Sequence, residues 1–494
     1  MLLLKREPRL DPRHEAFLFQ VQAVEAVRRL EYAALFHEQG LGKTKIGIDL
    51  ALSWLKERVA DSVLIVTKRT LIKNWIDEIK AHTFFEARLF VQDKKANFFA
   101  FNSPARLYLT HYEVLKSEER RFALFQKTRK IAVILDEAHK IKNPNAEITK
   151  TFHNLAAGFV RRVIMTGTPV ANRPYDIWAP IKFLDGGKSL GTCFPKFKED
   201  LDLTNELADD VPAQQTLEGE LAAVFSKIHH FTVRETKGSA GIELPEKHIE
   251  NVSVQLEAAQ LELYDRFRTE LGAEVLRNGN LVTDDAEEIL KRLLRLVQVA
   301  SNPLLVDESY DGEPGKLRAA RRLIHEALAD GSKAILWTNF IANADWLGRQ
   351  FKDLGRVVVH GSKAIADRNA ALDRFKNDPE IKLLVATPAS AKEGLTLTVA
   401  NHAVFFDRSF SLDDYLQAQD RIHRISQKKE CHIWNLVAAG TVDDWVDMLL
   451  AAKHLAAQLA QGDINREEYR ERANYDFGRV VRGILGIGED HGGA

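Results

Sequence analysis

Short apolar, β-branched runs recur along the chain, each bounded by polar turns and followed by a stretch of helical character. SVLIVT (62–67), KIAVILDEAH (130–139) and RRVIMTGTP (161–169) carry the pattern in the first half. KAILWTNF (333–340), RVVVHG (356–361), IKLLVATP (381–388) and HAVFFDRS (402–409) carry it in the second. Runs that stay apolar at successive positions bury both faces of a strand, as in parallel sheets covered by helices. The rhythm stops between about 180 and 320, where the chain is charged, rich in Leu, Ala and Glu, and helical in pattern, as in AEEILKRLLRLVQV (286–299). The pattern predicts an α/β protein with two parallel-sheet lobes and helical matter between them. GSAGIELP (238–245) is the expected linker.

The length of 494 residues allows two to four domains. Lys+Arg 69 against Asp+Glu 70 leaves no global positive field, so any nucleic-acid role requires a local basic groove. No apolar run reaches membrane-spanning length, which predicts no membrane partner. The start, MLLLKREPRLDPR, has too short an apolar segment for a signal peptide, and its charges follow that segment. The two cysteines, Cys193 and Cys431, lack zinc-site spacing. A cytoplasmic setting, nucleoid-associated or viral, is expected.

HEQGLGKT (37–44) is the first stretch with candidate chemistry. The apolar EYAALF (31–36) leads into it as a strand, and TKIGIDLALSWLKERV (44–59) follows as a helix by context. A phosphate cradle needs a tight turn with inward-facing N–H groups, then a helix N-terminus. Gly40 and Gly42 supply the close-approach backbone, Lys43 reaches the β/γ-phosphates and Thr44 ligates Mg2+. The usual loop, G-x-x-x-x-G-K-[ST], has glycine where this chain has His37.

KIAVILDEAH is an apolar strand ending in two acids. Asp136 is placed to hold Mg2+, directly or through water, and Glu137 to orient the attacking water and take its proton. His139 would link this site to other motifs. Acids just past the C-terminal end of a buried strand sit where α/β sheets bind ligands. Alone, either motif reads as a chance turn or an acidic helix start. Together, in this order and about ninety residues apart, they point to nucleotide chemistry.

GLGKT, DEAH and MTGTP (165–169) resemble the first lobe of superfamily-two helicases. LIVTKRTLIKNWIDEI (64–79), LTHYEVL (109–115), HFTVRETKGSAGIELPEKH (230–248) and LLRLVQVASNP (293–303) narrow the resemblance to the Swi/Snf-like branch of DNA-dependent translocases. LQAQDRIHRISQ (416–427) is similar to that branch's QAxxRxHRxGQ. The resemblance spans about residues 15 to 450. Departures are HEQGLGKT for DEMGLGKT, RISQ for RIGQ, RSF (408–410) for the common Trp-Asn-Pro, and EGLTLT (393–398) for GLGINLT. GLTLT with TGTPVANRP resembles a distant group that includes annealing helicases. None of these changes removes a catalytic side chain.

The resemblance implies two RecA-like lobes, residues 1–245 and 246–494. Helical inserts are expected at about 176–235 and 255–315, with bracing helices at about 441–480. It implies ATP with Mg2+, the metal held by Thr44 and Asp136. Gln20 would read the adenine, with Gly40, Leu41, Gly42, Lys43, Thr44, Lys45, Gly394 and Gln417 also around the nucleotide. Arg421 and Arg424, three apart on an expected helix, would reach from lobe two to the γ-phosphate, beside Lys43, Asp136 and Glu137. DNA contacts would be sequence-neutral. The candidates are Thr67, Lys68, Arg69, Asn74, Trp75, Thr110 and Tyr112 in lobe one, and Gly361, Ser362, Lys363, Thr387 and Lys392 in lobe two.

The implied function is ATP-driven translocation on double-stranded DNA, forked DNA included, with protein partners left unidentified. A strand-separating DNA or RNA helicase, or a DNA-binding scaffold with weak ATPase, remain as alternatives. Asp209–Asp210, Asp284–Asp285 and Asp443–Asp444 read as solvated loops or helix caps. The tail ending GEDHGGA reads as disordered.

Overall fold

Among the described residues thirteen strands form two sheets, and every pairing in both is parallel. The computed structural model describes the chain except residues 1–3, 5–6, 171, 204–206, 208–209, 242, 278–285, 330, 392–395 and 486–494. The chain divides into two units. The first comprises Met1–Asp202, Gly219–Glu243 and Ala457–Asn465; the second comprises Leu203–Glu218, Leu244–Ala456 and Arg466–Ala494.

The first sheet contains β1 (Tyr32–Leu35), β2 (Ser62–Thr67), β3 (Arg88–Leu89), β4 (Leu107–His111), β5 (Ile131–Asp136), β6 (Arg161–Met165) and β7 (Thr232–Val233). Their order is β3-β4-β2-β5-β6-β1-β7. All residues of β2 and β5 are buried, the property that made both visible as unbroken apolar runs. The helix Lys43–Lys56 packs Ile46, Leu50 and Trp54 into a core shared with Val63, Ile65 and Ile134. Asp136 pairs with Met165 at the C-terminal end of β5, so the acids and the TGTP loop leave the sheet side by side.

The second sheet contains β8 (Lys247–Val254), β9 (Lys333–Trp337), β10 (Arg356–Val359), β11 (Leu383–Ala386), β12 (Ala400–Phe405) and β13 (Cys431–Ala438), in the order β10-β11-β9-β12-β13-β8. Cores on its two faces center on Ile335, Trp337 and Phe405, and on Leu336, Val404 and Phe406.

Several expectations change. The stretch from 180 to 320 is not wholly helical, since it contains β7 and β8. β8 is an edge strand with mostly exposed residues, so its polar side chains hide it from an apolar-run reading. The helix expected to carry both arginines ends at Gln419; Arg421 and Arg424 lie on successive turns beyond it. Asp443 is buried rather than solvated, 2.5 Å from the fully buried Lys316 amine. Asp210 is a helix cap, accepting the Ala213 N–H at 2.9 Å. Lys392, Gly394, Asp209, Asp284, Asp285, part of EGLTLT and the GEDHGGA tail lie outside the described residues. Among the described residues no helix is long and apolar enough to cross a membrane.

Candidate nucleotide site

The loop between β1 and the Lys43–Lys56 helix takes its shape from two glycines. Gly40 and Gly42 have φ of 90° and 70°, where a side chain is strained, and Gly42 caps the helix. A Cβ on Gly42 would lie 2.4 Å from Gln20 Nε2. That Nε2 donates to the Leu41 carbonyl at 3.2 Å, while Gln20 Oε1 accepts the Phe17 N–H at 3.0 Å. Gln20 therefore ties the N-terminal helix Leu18–Val27 to the loop. The Lys43 amine donates to the carbonyls of His37 at 2.9 Å and Glu38 at 3.2 Å, inside the loop it begins from. The TGTP segment packs on the same loop, with a Cβ on Gly167 meeting the Gln39 side chain at 2.9 Å. His37, where the resembling family has an acid, is fully buried; burial and the neighboring Lys43 push its pKa down to about 4. It is neutral at pH 7 and adds no charge to the cradle.

Asp136 is buried and surrounded by donors. Its Oδ2 accepts the Thr67 hydroxyl at 2.9 Å and the Trp75 indole N–H at 2.8 Å. The Tyr112 hydroxyl donates to the Asp136 carbonyl at 2.7 Å. Burial and the adjacent Glu137 raise the Asp136 pKa, although both donors and Lys43 act against the rise. Burial also acts to raise Glu137, but Lys68, His139 and Lys43 outweigh it and hold this carboxyl well below the usual range. The His139 Nδ1 lies 3.2 Å from Glu137 Oε2. Glu137 has φ of 54°, which turns the chain sharply just after β5. The ionised Glu137 suits a proton acceptor, and the buried Asp136 carboxyl suits a cation, whose charge would favor its ionised form.

Other predicted residues fall into distinct positions. Thr67, Thr110, Trp75 and Tyr112 are fully buried, so their side chains are internal braces rather than a DNA-facing surface as the structure stands. Thr110 donates to the Phe90 carbonyl at 3.1 Å. Arg69 and Asn74 are exposed, and Lys68 is buried. The Lys45 amine pairs with Asp49 and its N–H bonds to the Gly42 carbonyl, which draws both away from a nucleotide. Thr44 is half-buried at the helix start.

In the second unit Gln417 is buried and donates to Asp413 at 2.7 Å. Arg421 is buried; Arg424 is half-buried, with Nε bonded to the Asp420 carbonyl at 2.9 Å and Nη1 to Thr396 Oγ1 at 3.2 Å. Gln427 holds these turns, donating to the carbonyls of Ala400 at 3.0 Å and Ile422 at 2.9 Å. Gly361 and Ser362 are exposed, Lys363 is half-buried and Thr387 is buried. Sequence reasoning missed Asp407, buried at the end of β12. It accepts Ser301 Oγ at 2.7 Å, Thr338 Oγ1 at 2.6 Å and the Asn339 N–H at 2.7 Å. The Asn-Pro segment and the FD pair were both visible, but not their meeting.

Left-handed glycines at a helix start create an anion cradle, and β5, separated from β1 by β6, brings two acids within electrostatic reach of its lysine. In form the first unit is a phosphate-loop nucleotide-binding domain. Residues 19–305 match the SNF2-related domain and residues 315–426 the helicase conserved C-terminal domain. The chain belongs to the SNF2-related family. It is 27% identical over 465 residues to an uncharacterized ATP-dependent helicase of Mycoplasma pneumoniae, covering 90% of this chain and 42% of the relative. It is 26% identical to the putative ATP-dependent helicase/translocase YwqA of Bacillus subtilis, covering 87% and 47%. With the yeast ISWI chromatin-remodeling ATPase ISW1 it shares 25% identity over 83% of this chain and 37% of that protein. The chain thus spans less than half the length of these relatives. The Sulfolobus solfataricus SWI2/SNF2 ATPase core in complex with dsDNA aligns over 96% of this chain and 99% of that one, at 24% identity and a TM-score of 0.41.

Proposed function

We propose that this chain is an ATP-driven translocase on double-stranded DNA. ATP would be held by the loop from Gly40 to Thr44, with Lys43 released from its two carbonyls onto the phosphates. Gln20 is the adenine reader in this reading, since it already touches the loop through Leu41. The residues fit Mg2+: Thr44 and Asp136 would hold it, and it would supply neutralising charge for the phosphates. Glu137, ionised and beside His139, accepts the proton of the attacking water. Arg421 and Arg424 stabilise the charge that develops on the γ-phosphate, so the nucleotide governs how the two units grip DNA. Exposed Arg69, Asn74, Gly361 and Ser362, with half-buried Lys363, take the phosphate backbone without reading sequence.

The observation that carries this reading is the acid pair beside the loop, with Asp136 kept in place by three side chains. The helicase and translocase names of the relatives accord with it. The deciding experiment compares ATP turnover with duplex, single-stranded and forked DNA and with RNA. Duplex DNA should stimulate most. Equal turnover with and without nucleic acid, or efficient separation of naked strands, would reject the translocase reading.

A further inference from the structure

The net charge of −1 demands a local basic surface if the chain binds a polyanion. The second unit has one. A groove of about 400 Å³ opens beside β10, the edge strand of its sheet, between the helices Ile341–Gln350 and Ile365–Asn377. Arg349, Arg356, Lys363 and Arg374 line it, with Asp345 as the acid of the lining. The Asp345 carboxylate is engaged at 3.0 Å by His360, whose other ring nitrogen lies 2.8 Å from Ser362 Oγ. Arg356 is anchored on the Gly348 carbonyl. Arg349 and Arg374 are exposed, each in the last turn of its helix, and belong to no motif discussed above.

We infer that this groove takes the phosphates of one DNA strand as an auxiliary backbone site. The inference rests on the reading that the chain binds duplex DNA. Continuity favors DNA over an acidic peptide: Lys363 lines the groove and also belongs to the Gly361–Lys363 loop that reading assigns to the backbone. Cations outnumber the carboxylate four to one, and guanidinium groups offer the planar donors that phosphate accepts in pairs. No base edge is needed, so the site adds affinity and not sequence preference.

The test replaces Arg349 and Arg374 together with Gln, in the full chain, and titrates a short duplex across a salt series. Each lost phosphate contact removes about 0.9 from the slope of log affinity against log salt, so the double variant should fall by about 2. Its DNA-free ATP turnover should stay unchanged, and the paired Arg→Lys variant should retain most of the slope. Identical slopes for parent and Gln variant would overturn the inference while leaving the DNA reading intact. Equal slopes combined with lost binding of a polyglutamate peptide would overturn it in favor of an acidic protein partner. A parent that fails to bind duplex at all would take down the DNA reading itself.

Discussion

Trp75→Phe isolates the role of one hydrogen bond in the acid pair. The indole is fully buried, and its N–H donates to Asp136 Oδ2 at 2.8 Å. Phenylalanine retains an aromatic ring but removes that donor, leaving Thr67 on the same oxygen. A hydrogen bond to a charged group contributes about 1.5–3 kcal/mol. The bond favors the ionised form, so its loss raises a pKa that burial already raises. At pH values below that pKa, the ionised fraction should fall roughly ten- to a hundredfold, at about 1.4 kcal/mol per factor of ten. The assay is kcat/KM for Mg-ATP as a function of pH. The acid limb should move to higher pH, with ATP turnover recovering on the alkaline side. Superimposable acid limbs for parent and variant would show that Asp136 ionisation does not govern the reaction. A uniform loss at every pH would point to damaged packing around Gly47, which the indole closely approaches.

Glu137→Gln should leave nucleotide binding within a few-fold of the parent and lower turnover by ~10²-fold or more, measured by fluorescent-nucleotide binding beside phosphate release. Arg424→Ala should keep DNA affinity and lower turnover by ~10³-fold, because a transition-state charge contact is removed; normal cycling would exclude this arginine from the chemistry. His37 has a folded-state pKa of about 4 against an ordinary 6.5. Its contribution to stability is complete above pH 6.5 and declines as pH falls toward 4, by about 2 kcal/mol at pH 5. Urea unfolding at pH 7 and pH 5 should show a smaller acid loss in His37→Asn than in the parent. Asp407→Asn places an amide where five donors converge, from Ser301, Thr338, Asn343 and twice from Asn339, and should destabilise the second unit by roughly 3 kcal/mol in denaturant melts.

Legibility followed burial. β2 and β5 are buried at every residue, so their apolar runs read directly as parallel strands. KHIENVSV hid β8 because an edge strand can leave its polar side chains in water. The cradle was readable since Gly40, Gly42, Lys43 and the Asp136–Glu137 pair are fixed by chemistry at short range. Thr67, Trp75 and Tyr112 were harder: a position at or beyond a strand end looks like an outer surface, yet these side chains turn inward to a buried acid. The available signal was the acid itself, which requires donors once it leaves water. The turn that carries Arg421 was hidden because LQAQDRIHRI continues a helical pattern past the point where Gln427 takes over the backbone bonding.

Glu137 bears a side chain yet sits in backbone territory that mostly admits glycine and asparagine. Drift at this corner is therefore confined by shape as well as by reactivity. A valine or threonine there would falter in folding before its missing carboxylate mattered, whereas asparagine would accept the bend while silencing the base. Loss-of-function variants at position 137 should accordingly sort into two groups, insoluble and soluble-but-inert, according to whether the incoming residue tolerates the kink.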